Sequence, residues 1–193
     1  MNKLFAAALG AVLLAVSPNA HAQAAGSITG FASIPWGSPE SAITARLGRP
    51  VELQQEGPVK KMGYRDTVLG EEVAAWYLVH QTQGLIAGNY ITAYSMGNSC
   101  WRVYSSIKNA IAERYPSIVP TVEEENRSQT LDMCESIAIG RGSAVTSWDD
   151  PVNEAQVYVQ IETNPDYVQT WYFSGEGITI LEEMNASRRR EQF

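Results

Sequence analysis

The stretch Val157 to Phe173, VYVQIETNPDYVQTWYF, constrains this chain most, because two strand-like runs meet there across Thr163-Asn164-Pro165-Asp166. Asn, Pro and Asp in succession carry strong turn chemistry: proline presets φ, and Asx side chains bond their own backbone. Alternating runs on either side make the segment read as a β-hairpin. With those four residues as the loop, antiparallel pairing sets Glu162 opposite Tyr167, Gln160 opposite Gln169, Tyr158 opposite Trp171 and Gln156 opposite Phe173, all on one face. Val157, Val159, Ile161 and Val168 point the other way. An aliphatic face backed by a Gln, Tyr, Trp and Glu face suits a sheet buried on one side and wet on the other. Tyr158, Gln160, Tyr167, Gln169, Trp171 and Phe173 are therefore the candidate partner-binding residues, since aromatic anchors dominate interface energetics. The same rings also suit a roof supplied by the protein's own helix or loop, and that alternative stays open.

The first residues give an address. Met1-Asn2-Lys3 is a short positive start, Leu4 to Val16 is an apolar run, and Ala20-His21-Ala22 is a small-x-small cleavage site. This is the pattern of a secretory signal peptide, and its apolar run is too short for a permanent membrane anchor. The expected organisation is a cleaved signal peptide at 1–22, a single α+β domain at 23–187 and a polar tail at 188–193 that holds the basic run Arg188-Arg189-Arg190. With no further segment of membrane-spanning length, the location implied is periplasmic or secreted. Cys100 and Cys134 are the two cysteines, and an exported chain with an even count pairs them in a structural disulfide. A bridge closing a loop of that size stabilises by roughly 3 to 4 kcal/mol in the chain-entropy description. The formal net charge of −7 opposes binding to a phosphate backbone, so nucleic acid is excluded as the expected partner.

Along the chain, Ser38-Pro39-Glu40 reads as an N-cap, a proline at the first helical position and a first-turn acid; Gly48 and Pro50 then stop the helix. Val51 to Glu56, Met62 to Leu69, Glu72 to His80 and Gly84 to Tyr94 read as successive antiparallel strands. In the last two both faces carry apolar side chains, which predicts cover on both sides, with Tyr77 opposite Gly88. Trp101, Tyr104, Ile107, Ile111 and Tyr115 recur at helical steps up to Pro116. Leu131 to Ile139 reads as a strand or loop tied back by Cys134, and Ala144 to Trp148 and Gln156 to Ile161 as strands. Gly175-Glu176-Gly177 breaks the sheet before a closing helix at Ile178, Leu181 and Met184. Helix then strands, twice over, predicts an α+β domain: an antiparallel sheet with helices packed on one face, built from two related helix-plus-strands halves.

No catalytic signature stands out, and no residue is assigned a catalytic, cofactor-binding or metal-ligating role. His80 is the only candidate general base, with Asp66 or Glu72 to orient it, although a partly exposed strand end is the simpler reading. Asp149-Asp150 and Glu123-Glu124-Glu125 are the acid clusters that a hard cation would need, but neither has calcium-loop spacing. Gly140-Arg141-Gly142-Ser143 reads as a turn before an anion cradle. Ile34-Pro35-Trp36-Gly37-Ser38-Pro39-Glu40-Ser41-Ala42-Ile43 through Leu47-Gly48-Arg49-Pro50 resembles small exported bacterial α+β modules, the β-lactamase-inhibitor-like proteins and the BamE-type outer-membrane assembly lipoproteins. Such a resemblance implies a helix-plus-antiparallel-sheet module whose open face holds another protein. Unlike the lipoproteins, this chain has glutamine, Gln23, rather than a lipid-accepting cysteine directly after the expected cleavage site. The function expected is thus a non-enzymatic interaction module acting on another cell-envelope protein, as an inhibitor, accessory subunit or assembly factor, with no cofactor. The alternatives are a hydrolase or metal-dependent enzyme around His80 and the acids, or a small-ligand carrier; the oligomeric state stays open.

Overall fold

The computed structural model describes residues 26–94, 99–126, 128, 130–162 and 167–191; the predicted signal peptide and the loop Thr163 to Asp166 lie outside these. A short ribbon of β1 (Gly30–Phe31) and β2 (Ile34–Pro35) precedes helix α1 (Glu40–Leu47). Four strands follow: β3 (Glu52–Glu56), β4 (Val59–Val68), β5 (Glu71–His80) and β6 (Gly84–Ala93). Helix α2 (Ser99–Arg114) opens a second set of β7 (Pro120–Asn126), the short α3 (Met133–Ala138), β8 (Ser143–Asp150), β9 (Ala155–Ile161) and β10 (Tyr167–Phe173), and α4 (Gly175–Glu191) closes the chain. All eight long strands form one antiparallel sheet in the order β3-β4-β5-β6-β10-β9-β8-β7. The fold is α+β. Each half is a helix followed by four strands, and the halves meet where β6 pairs with β10.

The face that the alternation of β9 predicts to be buried is covered by both halves' leading helices. Tyr104, Ile107 and Ile111 of α2 and Ile137 of α3 pack on Val157, Val159, Ile161 and Val168. Phe31, Ile34 and Ile43 pack on Met62, Tyr64, Tyr77 and Val79. The predicted disulfide is present, joining Cys100 at the start of α2 to Cys134 in α3. At the centre Gly88 lies between Tyr77 and Tyr172 on the neighbouring strands, the first of these as the sequence predicts. The missing side chain is filled by Phe31, whose ring atoms would stand 2.1 Å from a Cβ at Gly88. Phe31 then meets Tyr77, Tyr90 and Tyr172 at centroid distances of 4.8, 4.6 and 5.5 Å.

The opposite face carries α4, whose Ile180, Leu181 and Met184 pack on Val59, Leu78, Ile86 and Ala87. β5 and β6 are thereby covered on both sides, as their two apolar faces require. Gly175 to Gly177 begins the helix; Ser174 acts as its cap, its Oγ accepting from Gly177 N at 3.0 Å and donating to Ile86 O at 3.1 Å. The stretch expected as a polar tail from 188 stays helical to Glu191, and Arg188 pairs with Glu56 of β3.

Two local expectations are corrected. Ser38 does not cap α1: Pro39 is the N-cap with ψ 158° and no side-chain bond, while the Ser38 carbonyl accepts from Leu85 N at 2.8 Å. Leu131 to Ile139 is not a strand but contains α3, nucleated by Asp132, whose side chain accepts from Glu135 N at 2.9 Å.

Asp150 ties the N-terminal segment to the far half. Its carboxylate, buried at the end of β8, accepts from Ile28 N at 2.8 Å, Val152 N at 3.0 Å, Asn153 N at 3.3 Å and Asn153 Nδ2 at 2.7 Å. Burial pushes its pKa up, but the Asn153 side chain and the three backbone N–H donors outweigh it and hold the carboxyl below its ordinary 3.8. A depressed carboxylate contributes stability that is present above its unfolded pKa and lost as pH falls through the folded value. Asp150→Ala orphans the buried Ile28 N–H and removes the bonds to the part-buried Val152 and Asn153 N–H groups, and is expected to cost about 2 kcal/mol at neutral pH. Urea unfolding at neutral pH and at pH well below the carboxylate range checks this, the wild-type advantage shrinking at the acidic end.

Candidate functional site

β9 and β10 pair in the register their turn chemistry implies: Gln160 opposite Gln169, Tyr158 opposite Trp171 and Gln156 opposite Phe173. Beyond the last ladder pair, Glu162 N donates to Tyr167 O at 3.5 Å. The aliphatic residues of the hairpin are buried beneath α2, and the six candidate residues, Tyr158, Gln160, Tyr167, Gln169, Trp171 and Phe173, all stand half-buried on the other side. The rings of Tyr158, Phe173 and Trp171 form a continuous stack. Tyr158 lies 5.8 Å from Phe173 at 26°, and Trp171 lies 5.5 Å from Phe173 at 6°. Stacked rings held on a sheet lose little freedom on contact with a partner, which favours them as anchors.

Polar side chains fix the surface around the stack. Trp171 Nε1 donates to Gln169 Oε1 at 2.5 Å, Gln160 Nε2 to Glu162 Oε1 at 2.6 Å, and Gln156 Nε2 to Asp149 Oδ1 at 2.7 Å. These amides are oriented before any partner arrives. α4 forms the wall of the strip: a groove of about 360 Å³ runs between Tyr158, Trp171 and Phe173 on the sheet and Leu181, Met184 and Arg188 on the helix. Glu56 closes its end, paired with Lys61 at 2.6 Å and with Arg188. Further along the same face Tyr167 borders a second hollow of about 560 Å³ with Ala74, Ile91 and Arg65.

Sequence spacing shows the Ile178, Leu181, Met184 stripe but not the face on which it lands. The wall therefore had no signal in the sequence, because helix docking depends on where β10 ends.

The residues weighed for catalysis are not brought together. His80 pairs with Val59 at one end of the β4–β5 hairpin, whereas Asp66 pairs with Val73 and Glu72 with Thr67 near the other end. Its Nδ1 instead lies 3.2 Å from Thr82 Oγ1. His80 borders an open hollow of about 880 Å³ with Glu40 and Lys60, which are paired to each other at 2.5 Å. The acid clusters are engaged structurally: Glu123 and Glu125 both meet Lys108 at 2.5 Å, and Asp150 holds the N-terminal segment. Among the described residues no group of three or more His, Cys, Asp or Glu is placed to hold a metal ion. Two amides of the turn after α3 are already bonded within the chain, Gly140 N to Ile137 O at 2.9 Å and Arg141 N to Ser136 O at 2.8 Å.

No family model, curated protein or solved structure matches the chain.

Burial raises the Tyr158 pKa to about 12, with the Glu162 carboxylate adding to it. Tyr77, Tyr90 and Tyr172 are raised as well, first by burial. A phenol with a raised folded pKa contributes stability fully present below its unfolded value of 10.0 and lost as pH rises through the folded value. Ultraviolet titration is therefore expected to show these phenols ionising late, together with loss of the fold above about pH 10 rather than before it.

Proposed function

We propose that this chain is an exported, non-enzymatic interaction module that captures another cell-envelope protein on the aromatic strip of β9 and β10, as an inhibitor, accessory subunit or assembly factor. The observation that carries the reading is the half-exposed stack of Tyr158, Phe173 and Trp171, set among pre-oriented Gln side chains and walled on one side by α4. Rings presented this way suit a protein contact, where a few aromatic anchors supply most of the binding free energy. A periplasmic or secreted location is supported by the signal-peptide pattern at 1–22 and by the disulfide, which belongs to an oxidising compartment. No helix among the described residues is long and apolar enough to cross a membrane. The acidic balance argues against nucleic acid as the partner. A hydrolase or metal enzyme around His80 draws no support from a histidine so far from Asp66 and Glu72.

The test is capture from an envelope extract of the exporting organism by the immobilised mature chain. Tyr158→Ala with Trp171→Ala is expected to weaken binding of a specific polypeptide by about a hundredfold or more, as for loss of two hot-spot residues, while the thermal midpoint falls only modestly. Gln160→Arg alters the same face without touching the packing of α4 and is expected to weaken capture as well. Undiminished capture by both variants contradicts the proposal, and a collapsed midpoint in the double variant assigns the rings to the core instead.

A further inference from the structure

The open face of the second half carries carboxylates for which the protein supplies no cation. β7, β8, β9 and β10 contain neither lysine nor arginine. Their register puts two acids on the side of the aromatic strip: Glu124 stands opposite Val145, which stands opposite Gln160, and Asp149 stands opposite Gln156. Glu162 joins them by alternation from Gln160. Each acid is held through one oxygen by a neutral amide. Asn126 Nδ2 donates to Glu124 Oε1 at 2.9 Å, Gln156 Nε2 to Asp149 Oδ1 at 2.7 Å, and Gln160 Nε2 to Glu162 Oε1 at 2.6 Å. The second oxygen of each has no partner among the described residues, and Glu124 and Asp149 are exposed.

Acids elsewhere on the sheet are treated differently. Under α2, Glu123 and Glu125 share Lys108 at 2.5 Å each. In the groove beside α4, Lys61 and Arg188 both turn onto Glu56, while Glu182 lines the same groove with no ion pair among the described residues. The nearby cations are thus committed, and the strip is left acidic. Asp149, beside Gln156, and Glu162 bracket it at roughly 20 Å, taking about 3.4 Å per strand residue.

Carboxylates without counter-charge around stacked rings say what fits there. A guanidinium or ammonium group is attracted both to a ring face and to a carboxylate oxygen. An acidic partner would instead set like charges against each other, which costs affinity and slows encounter. The net charge of −7 extends the same preference to approach from a distance.

We propose that the partner offers the strip a basic surface, whose lysine and arginine side chains pair with Glu124, Asp149 and Glu162 around the rings of Tyr158, Phe173 and Trp171. This rests on the reading of the strip as the capture site and adds the partner's chemistry to it.

The experiment titrates two peptides, acetyl-Arg-Trp-Arg-amide and acetyl-Glu-Trp-Glu-amide, into the isotope-labelled mature chain. The readout is the Trp171 Nε1–H resonance, assigned with Trp171→Phe. The arginine peptide is expected to shift it saturably and to bind roughly tenfold or more tightly than the glutamate peptide, with affinity falling as salt rises. Glu124→Gln with Asp149→Asn and Glu162→Gln keeps the shapes and an acceptor for each amide. That variant is expected to weaken binding of the arginine peptide roughly tenfold and to flatten its salt dependence, with the thermal midpoint unchanged. Because the peptide preference and the salt slope are read on the wild-type chain, they decide the matter even where the neutralised chain folds poorly. The proposal is overturned by equal binding of the two peptides, by binding indifferent to salt, or by a folded neutralised variant that binds the arginine peptide like wild type. In envelope capture, the polypeptide lost with Tyr158→Ala and Trp171→Ala is expected to be basic and to elute with salt. An acidic or salt-resistant polypeptide lost with that variant keeps the strip as the capture site and overturns this proposal alone. A polypeptide retained by that variant overturns the strip reading and this proposal with it.

Discussion

The pairing of β6 with β10 is the contact on which the rest of the molecule depends, because seven consecutive residue pairs from Tyr167–Ala93 to Phe173–Ala87 join two helix-plus-four-strand halves into one sheet. Neither half could bury both faces alone. Along this seam Gly88 gives up its side chain so that Phe31 can descend onto the sheet between Tyr77 and Tyr172. A single ring from the N-terminal ribbon thus touches β5, β6 and β10 at once. Tyr172 and Trp36 pack against the core clusters of both halves, which joins those clusters across the seam.

β10 also decides where α4 goes. Its last residues lead into Ser174, whose backbone N–H and hydroxyl both donate to the Ile86 carbonyl, and Gly177 lets the first turn approach that same carbonyl, since a Cβ there would stand 2.1 Å from it. The helix is thereby launched back over β6 and β5 toward β3 and leaves the strip of β9 and β10 open beside it. The two outer strands are defended alike. β3 and β7 are exposed edges carrying Glu52, Gln54, Gln55 and Glu56, and Glu123, Glu124 and Glu125. Acidic edges repel like edges of other chains and so disfavour edge-to-edge pairing.

Much of this was legible from residues. The β9–β10 register followed from Asn164-Pro165-Asp166 and the alternation around it, and α2 from apolar residues at helical spacing. Cover on both sides of β5 and β6 followed from the apolar residues on both of their faces, such as Trp76 against Tyr77. What sequence did not show is set by long-range placement. α3 rests on a single capping aspartate, Asp132, and six residues of helix too short for periodicity. Ser38 had the chemistry of a cap, but its carbonyl is drawn to Leu85 across the ribbon. The walled groove needs Leu181 and Met184 brought against Trp171, a meeting that leaves no local mark.

The claim most in need of measurement is that the Tyr158, Phe173 and Trp171 strip faces water in the free protein and a protein partner in the envelope. Hydroxyl-radical footprinting of the mature chain, alone and in envelope extract, reads both states at these side chains. The account predicts oxidation of all three rings in the free chain and their protection in the extract, with buried Trp148 unoxidised in both. Rings that resist oxidation in the free chain, or oxidise equally in the extract, would contradict it.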